Sequence, residues 1–221
     1  MFGDKATGSG HNPVAIVPLG TEAVLVRFAD SLSEAANREA IGFAARLDAD
    51  RPEGVAEVAP GLVSVLVRTR PGVDFWRLSG ELRLRLGTPA APASRAATVI
   101  PIAFDGPDLG DVAALLELTP AAFVAAHNAA TLRVLATGFA PGFIYCGFHA
   151  EALVVPRRVE VRPMVPAGTV LFAAGQTAIP ATPIRTGWHV IGSTAFRNFE
   201  PAAAPPTRLQ PGDGVRFEAV S

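Results

Sequence analysis

The sequence predicts an α+β unit followed by a turn-rich β unit of barrel or sandwich type, and three observations carry that prediction. Glycine (21) and proline (20) are too frequent among 221 residues for a mostly helical chain, because both break helix interiors. Apolar residues make up 49%, enough for a sizeable core and too many for global disorder. The texture also changes at residues 87–96, Gly-Thr-Pro-Ala-Ala-Pro-Ala-Ser-Arg-Ala, which read as a linker. The expected layout is a flexible tail over 1–13, an α/β domain over 14–88, a linker over 89–97 and a β domain over 98–221.

Residues 14–18 and 23–28 read as strands joined by a Leu-Gly-Thr turn. Ser31-Leu-Ser-Glu34 has the spacing of a capping box. It opens a helix in which Ala36, Ala40, Phe43, Ala44 and Leu47 keep helical spacing. Residues 54–58 and 62–67, on either side of Pro60-Gly61, form a predicted hairpin. There Val63, Val65 and Val67 alternate with Ser64, Leu66 and Arg68, as in a largely buried strand. Phe75, Leu78, Leu82 and Leu86 mark a second helix, although 81–86 also alternates with strand period. The order β-β-α-β-β-α makes a small α+β sandwich.

Past the linker, a strand over 98–104 leads through Asp105-Gly-Pro-Asp108 into a helix with Leu109, Val112, Ala113 and Leu116 on one face. Thr119 as N-cap and Pro120 at the first helical position start another, ending near Asn128. From Leu132 onward only short apolar runs remain, separated by Gly and Pro turns. That is the pattern of a barrel or a sandwich. The most apolar stretch, 112–148, is interrupted by Glu117, His127, Asn128 and Arg133, so no membrane span is expected.

Composition excludes several functions. A formal net charge of −1 gives no global field for nucleic acid or anionic lipid. Lys5, in the tail, is the only lysine. The folded body therefore has neither the lysine of a Walker-type phosphate loop nor an amine for Schiff-base chemistry. Any anion bound there is held by Arg, backbone N–H groups or hydroxyls. Cys146 is the only cysteine, which excludes an intramolecular disulfide and a thiolate cluster. The four histidines (11, 127, 149 and 189) lack metal-ligand spacing, so no metal is expected. The first residues lack the apolar stretch of a secretory signal, and a cytoplasmic location is expected.

Three clusters carry possible chemistry, each beside a plainer reading. Residues 138–147 combine Gly138, Pro141-Gly142 and Tyr145, the only tyrosine; the plainer reading is a turn between buried strands. Residues 156–168 hold Arg157, Arg158 and Arg162, whose forks suit carboxylate and phosphate, or which are solvated strand ends. On a strand Arg158 points away from Arg157, so Arg157 or Arg162 is expected to be functional and Arg158 structural. In the third cluster Gln176 and Thr177 follow a glycine, where they can orient an amide or carboxylate, and Trp188 is either an apolar floor or core. His127, at a predicted helix end, reads from its surroundings as a cap or core hydrogen-bonder.

In this order the clusters resemble the family of the 5-oxoprolinase B subunit, also described as allophanate hydrolase subunit 1, which includes the kinase inhibitor KipI. The family pattern runs GFxPGFxYLGGL, PRRxxPRxxVPAGSV, AGxQTGIYPxxSPGGW, IGRT and PGDxVRF. This chain has Gly138-Phe-Ala-Pro-Gly-Phe-Ile-Tyr145, Pro156-Arg-Arg158, Arg162 and Val165-Pro-Ala-Gly-Thr-Val170. It also has Ala174-Gly-Gln-Thr177, Gly187-Trp188, Ile191-Gly192, Thr194 and Pro211-Gly-Asp-Gly-Val-Arg-Phe217. The resemblance implies a carboxyltransferase-type protein with an α/β N-terminal domain and a cyclophilin-like β-barrel C-terminal domain. It implies a partner, a homologue of the 5-oxoprolinase C subunit (allophanate hydrolase subunit 2-like), with the active site between the two, and a third subunit of LamB/YcsF type. It implies ATP, bound at the subunit interface, and opening of a cyclic amide such as 5-oxoproline. The alternatives are a KipI-like regulator of a sensor kinase without turnover and the carboxyltransferase component of a urea-carboxylase-like system.

Residue reading and resemblance together nominate His127, Tyr145 and Arg162 as catalytic, and Arg157, Gln176, Thr177, Arg185 and Trp188 as substrate- or anion-binding. Arg157, Arg162, Gln176 and Tyr145 are expected to share one pocket. The departures lie inside the motifs. Val161 replaces a Pro, Cys146-Gly-Phe-His149 replaces Leu-Gly-Gly-Leu, the loop 178–187 is remade, and Ser193 stands where relatives carry Arg. Arg185 in the remade loop is expected to supply the cation missing at Ser193. With 49% apolar and 18% charged residues, an apolar face is expected to dock the partner.

Overall fold

The computed structural model describes residues 14–87 and 96–220. The tail expected over 1–13 and most of the linker expected over 89–97 lie outside them. Two units cluster separately, residues 1–91 and 92–221. In the first, β1 (Ala15–Pro18), β2 (Ala23–Arg27), β3 (Val55–Pro60) and β4 (Ser64–Thr69) form an antiparallel sheet of order β1-β2-β4-β3. The helices are α1 (Glu34–Ala49) and α2 (Phe75–Leu84). Val24, Val26, Val65 and Val67 alternate inward and meet Ala40, Phe43 and Leu47 of α1 and Leu78 and Leu82 of α2. The second helix prevails over the strand reading of 81–86. Asp74 caps it, accepting from the Arg77 N–H at 2.9 Å.

One N-terminus departs from expectation. Ser33, not Ser31, caps α1; its Oγ accepts from the Ala36 N–H at 3.2 Å and its carbonyl from the Asn37 N–H at 3.0 Å. This start puts Glu34 in the first turn, where the helix dipole favours an acid, and lets it pair with Arg38 one turn on. The buried Asn37 then donates to Leu62 O at 2.7 Å, tying the helix to the approach of β4.

In the second unit, β5 (Thr98–Ala103), α3 (Leu109–Leu115) and α4 (Pro120–His127) precede β6 (Leu132–Thr137) and β7 (Ile144–Gly147). After them come β8 (Arg162–Val165), β9 (Thr169–Ala173), β10 (Gln176–Ile179), β11 (Ile184–Thr186), β12 (His189–Ser193) and β13 (Gly214–Val220). Seven strands close a barrel of order β10-β7-β6-β13-β5-β12-β9, while β8 and β11 form a separate two-stranded ribbon. Barrel is therefore the outcome of the barrel-or-sandwich expectation, and closure removes the sheet edges. Strand alternation sorts the side chains into two clusters. Ile144, Cys146, Val170, Phe172 and Ile179 join the main core with Phe123 of α4 and Phe217 of β13. Phe143, Leu171, Ala173 and Ala178 instead face a second cluster with Val165 and Ile184 of the ribbon and Trp188. Among the described residues no single helix is long and apolar enough to cross a membrane.

Candidate functional site

The second cluster brings three nominated residues together. Tyr145 of β7 lies 5.9 Å, ring to ring, from Trp188, and the Arg157 guanidinium sits 5.7 Å over the Trp188 ring. Thr186 Oγ1 accepts the Trp188 N–H at 3.0 Å and fixes the entry to β12. The stacked guanidinium is exposed while Trp188 is buried, so Arg157 keeps its hydrogen-bonding edges for an anion. Burial pushes the Tyr145 phenol up, opposed in part by Arg157. At neutral pH it is a donor, not a base.

Gln176 belongs to the same wall. Its strand neighbour Ala178 pairs with Tyr145 and joins the second cluster, and residues two apart share a face. The Gln176 Oε1 is buried and has no hydrogen-bond partner. The wall therefore holds a cation, a protonated phenol and an amide oxygen left free.

The same alternation sends Thr177 inward, away from Gln176. Thr177 Oγ1 lies 2.8 Å from His127 Nε2 and 2.8 Å from His149 Nε2, and His127 Nδ1 lies 2.7 Å from Asn128 Oδ1. With the Asn128 oxygen accepting, His127 carries its proton on Nδ1. Thr177 then donates to His127 Nε2 and accepts from the Nε2–H of His149. Both rings stay neutral: burial lowers His127 to about 4, against the Asn128 bond, and burial and then His127 lower His149 to about 3. Phe104, Phe123, Phe172 and Phe217 ring His127. His127 and Thr177, nominated as catalytic and anion-binding, are fully buried in the barrel and do not join the outer wall. The period-two pattern of β10 was the signal that separates Thr177 from Gln176.

The arginines divide differently from the expected split. Residues 156–160 are not a strand, and β8 begins only at Arg162. Arg158 Nη1 and Arg162 Nη2 both bond Asp108 Oδ1, at 2.7 and 2.5 Å, while Asp108 Oδ2 accepts the Val190 N–H at 2.8 Å. Arg158 and Arg162 thus share one carboxylate and Arg157 stands apart on Trp188. Burial acts to raise the Asp108 carboxyl, but the Val190 N–H, Arg162 and Arg158 outweigh it and hold it below the ordinary range. Gly106 makes this possible. A Cβ there would lie 2.3 Å from Val190 O, so only glycine lets the 105–108 turn press onto β12. Asp108 is the residue the sequence reading did not nominate, because only the fold brings its turn to arginines 50 and 54 residues further on.

Arg185 is exposed at the centre of β11, between the inward-facing Ile184 and Thr186. Ser193 donates instead to Asp105, its Oγ 3.1 and 3.2 Å from the two carboxylate oxygens. Arg185 and Ser193 thus have different surroundings, one exposed on the ribbon and the other bonded to Asp105. Exposed apolar side chains adjoin the wall, Phe139 on Phe143 and Val154 against Gly175, while Val159, Val161 and Met164 are exposed close in sequence to the arginines.

A small α+β unit followed by a closed barrel with this outer wall defines a carboxyltransferase-type protein, and residues 14–209 match the family of the carboxyltransferase domain, subdomain C and D. The 5-oxoprolinase B subunit of Bacillus subtilis (strain 168) is 30% identical over 222 residues, covering 93% of this chain and 92% of that protein. The protein of the same name from Escherichia coli O157:H7 is 33% identical over 204 residues, covering 90% and 93%. The chain belongs to this family of 5-oxoprolinase B subunits. Among solved structures, TTHA0988 superposes with a TM-score of 0.79 at 34% identity; it covers 90% of this chain, which spans only 40% of that one. The uncharacterized protein PH0987 of Pyrococcus horikoshii is 31% identical with a TM-score of 0.55, covering 94% and 98%. The K. lactis urea amidolyase, 14% identical with a TM-score of 0.72, shares the fold over 94% of this chain and 15% of its own.

Proposed function

We propose that the chain is one component of an ATP-dependent amidohydrolase that opens a small cyclic amide acid, with 5-oxoproline as the first substrate. It acts with a homologue of the 5-oxoprolinase C subunit and a third component of LamB/YcsF type, in the cytoplasm. The observation that carries this reading is the outer wall, where Arg157 on Trp188 stands beside Tyr145 and the free oxygen of Gln176. Opening an amide builds charge on its carbonyl oxygen, and preorganised donors stabilise it best where water is excluded. Arg157 suits the carboxylate of the acid and the protonated Tyr145 the developing oxyanion. Exposed Phe139 packs on Phe143 beside Tyr145, and exposed Val154 lies against Gly175 next to Gln176; a partner covering them would dry the wall. ATP belongs to the assembled complex rather than to this chain alone, since the described residues contain no lysine and hence no Walker-type loop.

The test is co-expression with the C-subunit homologue and the third component, followed by assay of glutamate from 5-oxoproline with and without ATP. Glutamate that needs both ATP and the partner supports the reading. Tight binding of a sensor kinase without turnover, or carboxyl transfer to urea in place of ring opening, replaces it.

A further inference from the structure

Barrel closure leaves the second unit's main sheet without edges, but the four-stranded sheet of the first unit keeps two, β1 and β3. They are not alike. Sheets guard open edges with charge, bulges and proline, because unpaired N–H and C=O groups recruit other strands. β3 carries such guards: its register slips between Val55 and Glu57, the exposed Glu57 lies 3.7 Å from Arg68, and Pro60 ends it. β1 keeps a regular register, from Ala15 opposite Arg27 to Pro18 opposite Val24, and none of residues 14–21 is charged. The Leu19 N–H donates to Ala23 O at 2.8 Å and sets the alternation of the β1–β2 ladder. Residues 15, 17 and 19 bond β2, so Ile16 points its N–H and C=O to the open edge, in line with Val14 N–H and Pro18 O. Pro18 has no N–H, so the edge offers one short stretch of ladder rather than an open-ended one. On the face away from the helices, Val17, Leu25, Leu66 and Ala59 stand opposite one another across all four strands. That row ends at Val17, 42% exposed, with Leu19, 53% exposed, beyond it.

We propose that β1 pairs with β1 of a second copy of this chain, antiparallel about a two-fold axis at Ile16. A two-fold axis brings like residues together, and an edge without charge meets itself without repulsion. The two Ile16 residues exchange N–H···O bonds, the Val14 N–H of each copy reaches Pro18 O of the other, and Val17 packs on Ala15 across the seam. The apolar row then runs unbroken through both sheets. A strand of four residues supplies less than the ~1,200 Å² of a stable interface. The pair is therefore reversible, with a dissociation constant on the order of 100 µM. This inference is independent of the amidohydrolase reading.

The experiment uses the full chain, alone and with its C-subunit homologue. Sedimentation from about 10 µM to about 1 mM should show a monomer–dimer equilibrium, and the Ile16 amide should exchange more slowly as concentration rises. Val17→Lys, at an exposed position off the core, should weaken the dimer by about tenfold or more. Residues 15 and 17 face each other across the seam as a close non-hydrogen-bonded pair, whereas 15 with 15 and 17 with 17 are diagonal. An equimolar mixture of Ala15→Cys and Val17→Cys chains should therefore form disulfide dimers several-fold faster than either alone; the native Cys146 is buried and does not compete. A monomer throughout, a dimer indifferent to Val17→Lys, or equal crosslinking of the mixture and the single variants overturns the proposal. So does a dimer that forms only after residues 1–12 are removed, which puts the chain's own first residues on the edge. Loss of the dimer when the C-subunit homologue binds puts that subunit there and overturns it likewise.

Discussion

Removing the Asp108 carboxylate should strongly destabilise the barrel unit. Asp108→Ala leaves Arg158 and Arg162, with side chains 24% and 32% exposed, facing each other without their shared anion, and strips the Val190 N–H of its acceptor. Breaking a buried ion pair from one side costs about 3–5 kcal/mol. Partial hydration of the two guanidinium groups argues for the lower end, and the orphaned Val190 N–H adds ~1 kcal/mol or more. The expected loss is therefore ~4 kcal/mol. The assay is urea unfolding followed by tryptophan fluorescence. Trp188 is buried in this unit while Trp76 is 80% exposed, so the signal change reports chiefly the barrel. The midpoint should fall with an unchanged slope, and added salt should not rescue it, since buried pairs are weakly screened. A loss under about 1 kcal/mol would refute the assignment of Asp108 as the anchor of both arginines.

Other outcomes follow from the same geometry. Because His127 and His149 are held neutral in the fold, the unfolded chain binds more protons below its ordinary histidine range. Their stabilisation is complete above about pH 6.5, falls as pH drops through about 4 for His127 and about 3 for His149, and should be recorded as a Tm that declines across that window. Thr177→Val should cost about 2–4 kcal/mol by stranding both imidazole nitrogens, measured by the same unfolding assay; no loss would mean that the hydroxyl does not bridge them. Tyr145→Phe should leave Tm unchanged but lower kcat of the assembled complex by about tenfold or more, and an unaltered kcat would remove the phenol from the site.

Much of the fold was legible because it rests on local periodicity. The helical spacing of Ala36, Ala40, Phe43 and Leu47 and the Thr119-Pro120 start gave α1 and α4, and the short strands after Leu132 gave the β unit. The α1 cap was misplaced because Ser31 and Ser33 both precede Glu34 and the capping-box spacing favours Ser31, whereas it is the Ser33 Oγ that accepts the Ala36 N–H. The site was legible in part. Motif spacing found Tyr145, Arg157 and Trp188, which meet from β7, an irregular segment and the residue before β12. The fate of Arg158 and Arg162 was not, because their partner Asp108 lies 50 and 54 residues away. Nor was the bridge between His127 and His149, which needs Thr177 of a third element.

The most direct test of the central claim, that the Arg157–Trp188–Tyr145 wall serves cyclic-amide opening, is the rate of ATP-dependent glutamate formation from 5-oxoproline by the reconstituted complex, wild type against Arg157→Ala. Arg157 is exposed and stacks from outside, so its removal should spare folding. The account predicts turnover only with ATP and the partner, and a fall of about tenfold or more in kcat/KM for the variant. Turnover undiminished by the substitution, or none from a folded and fully assembled complex, contradicts it.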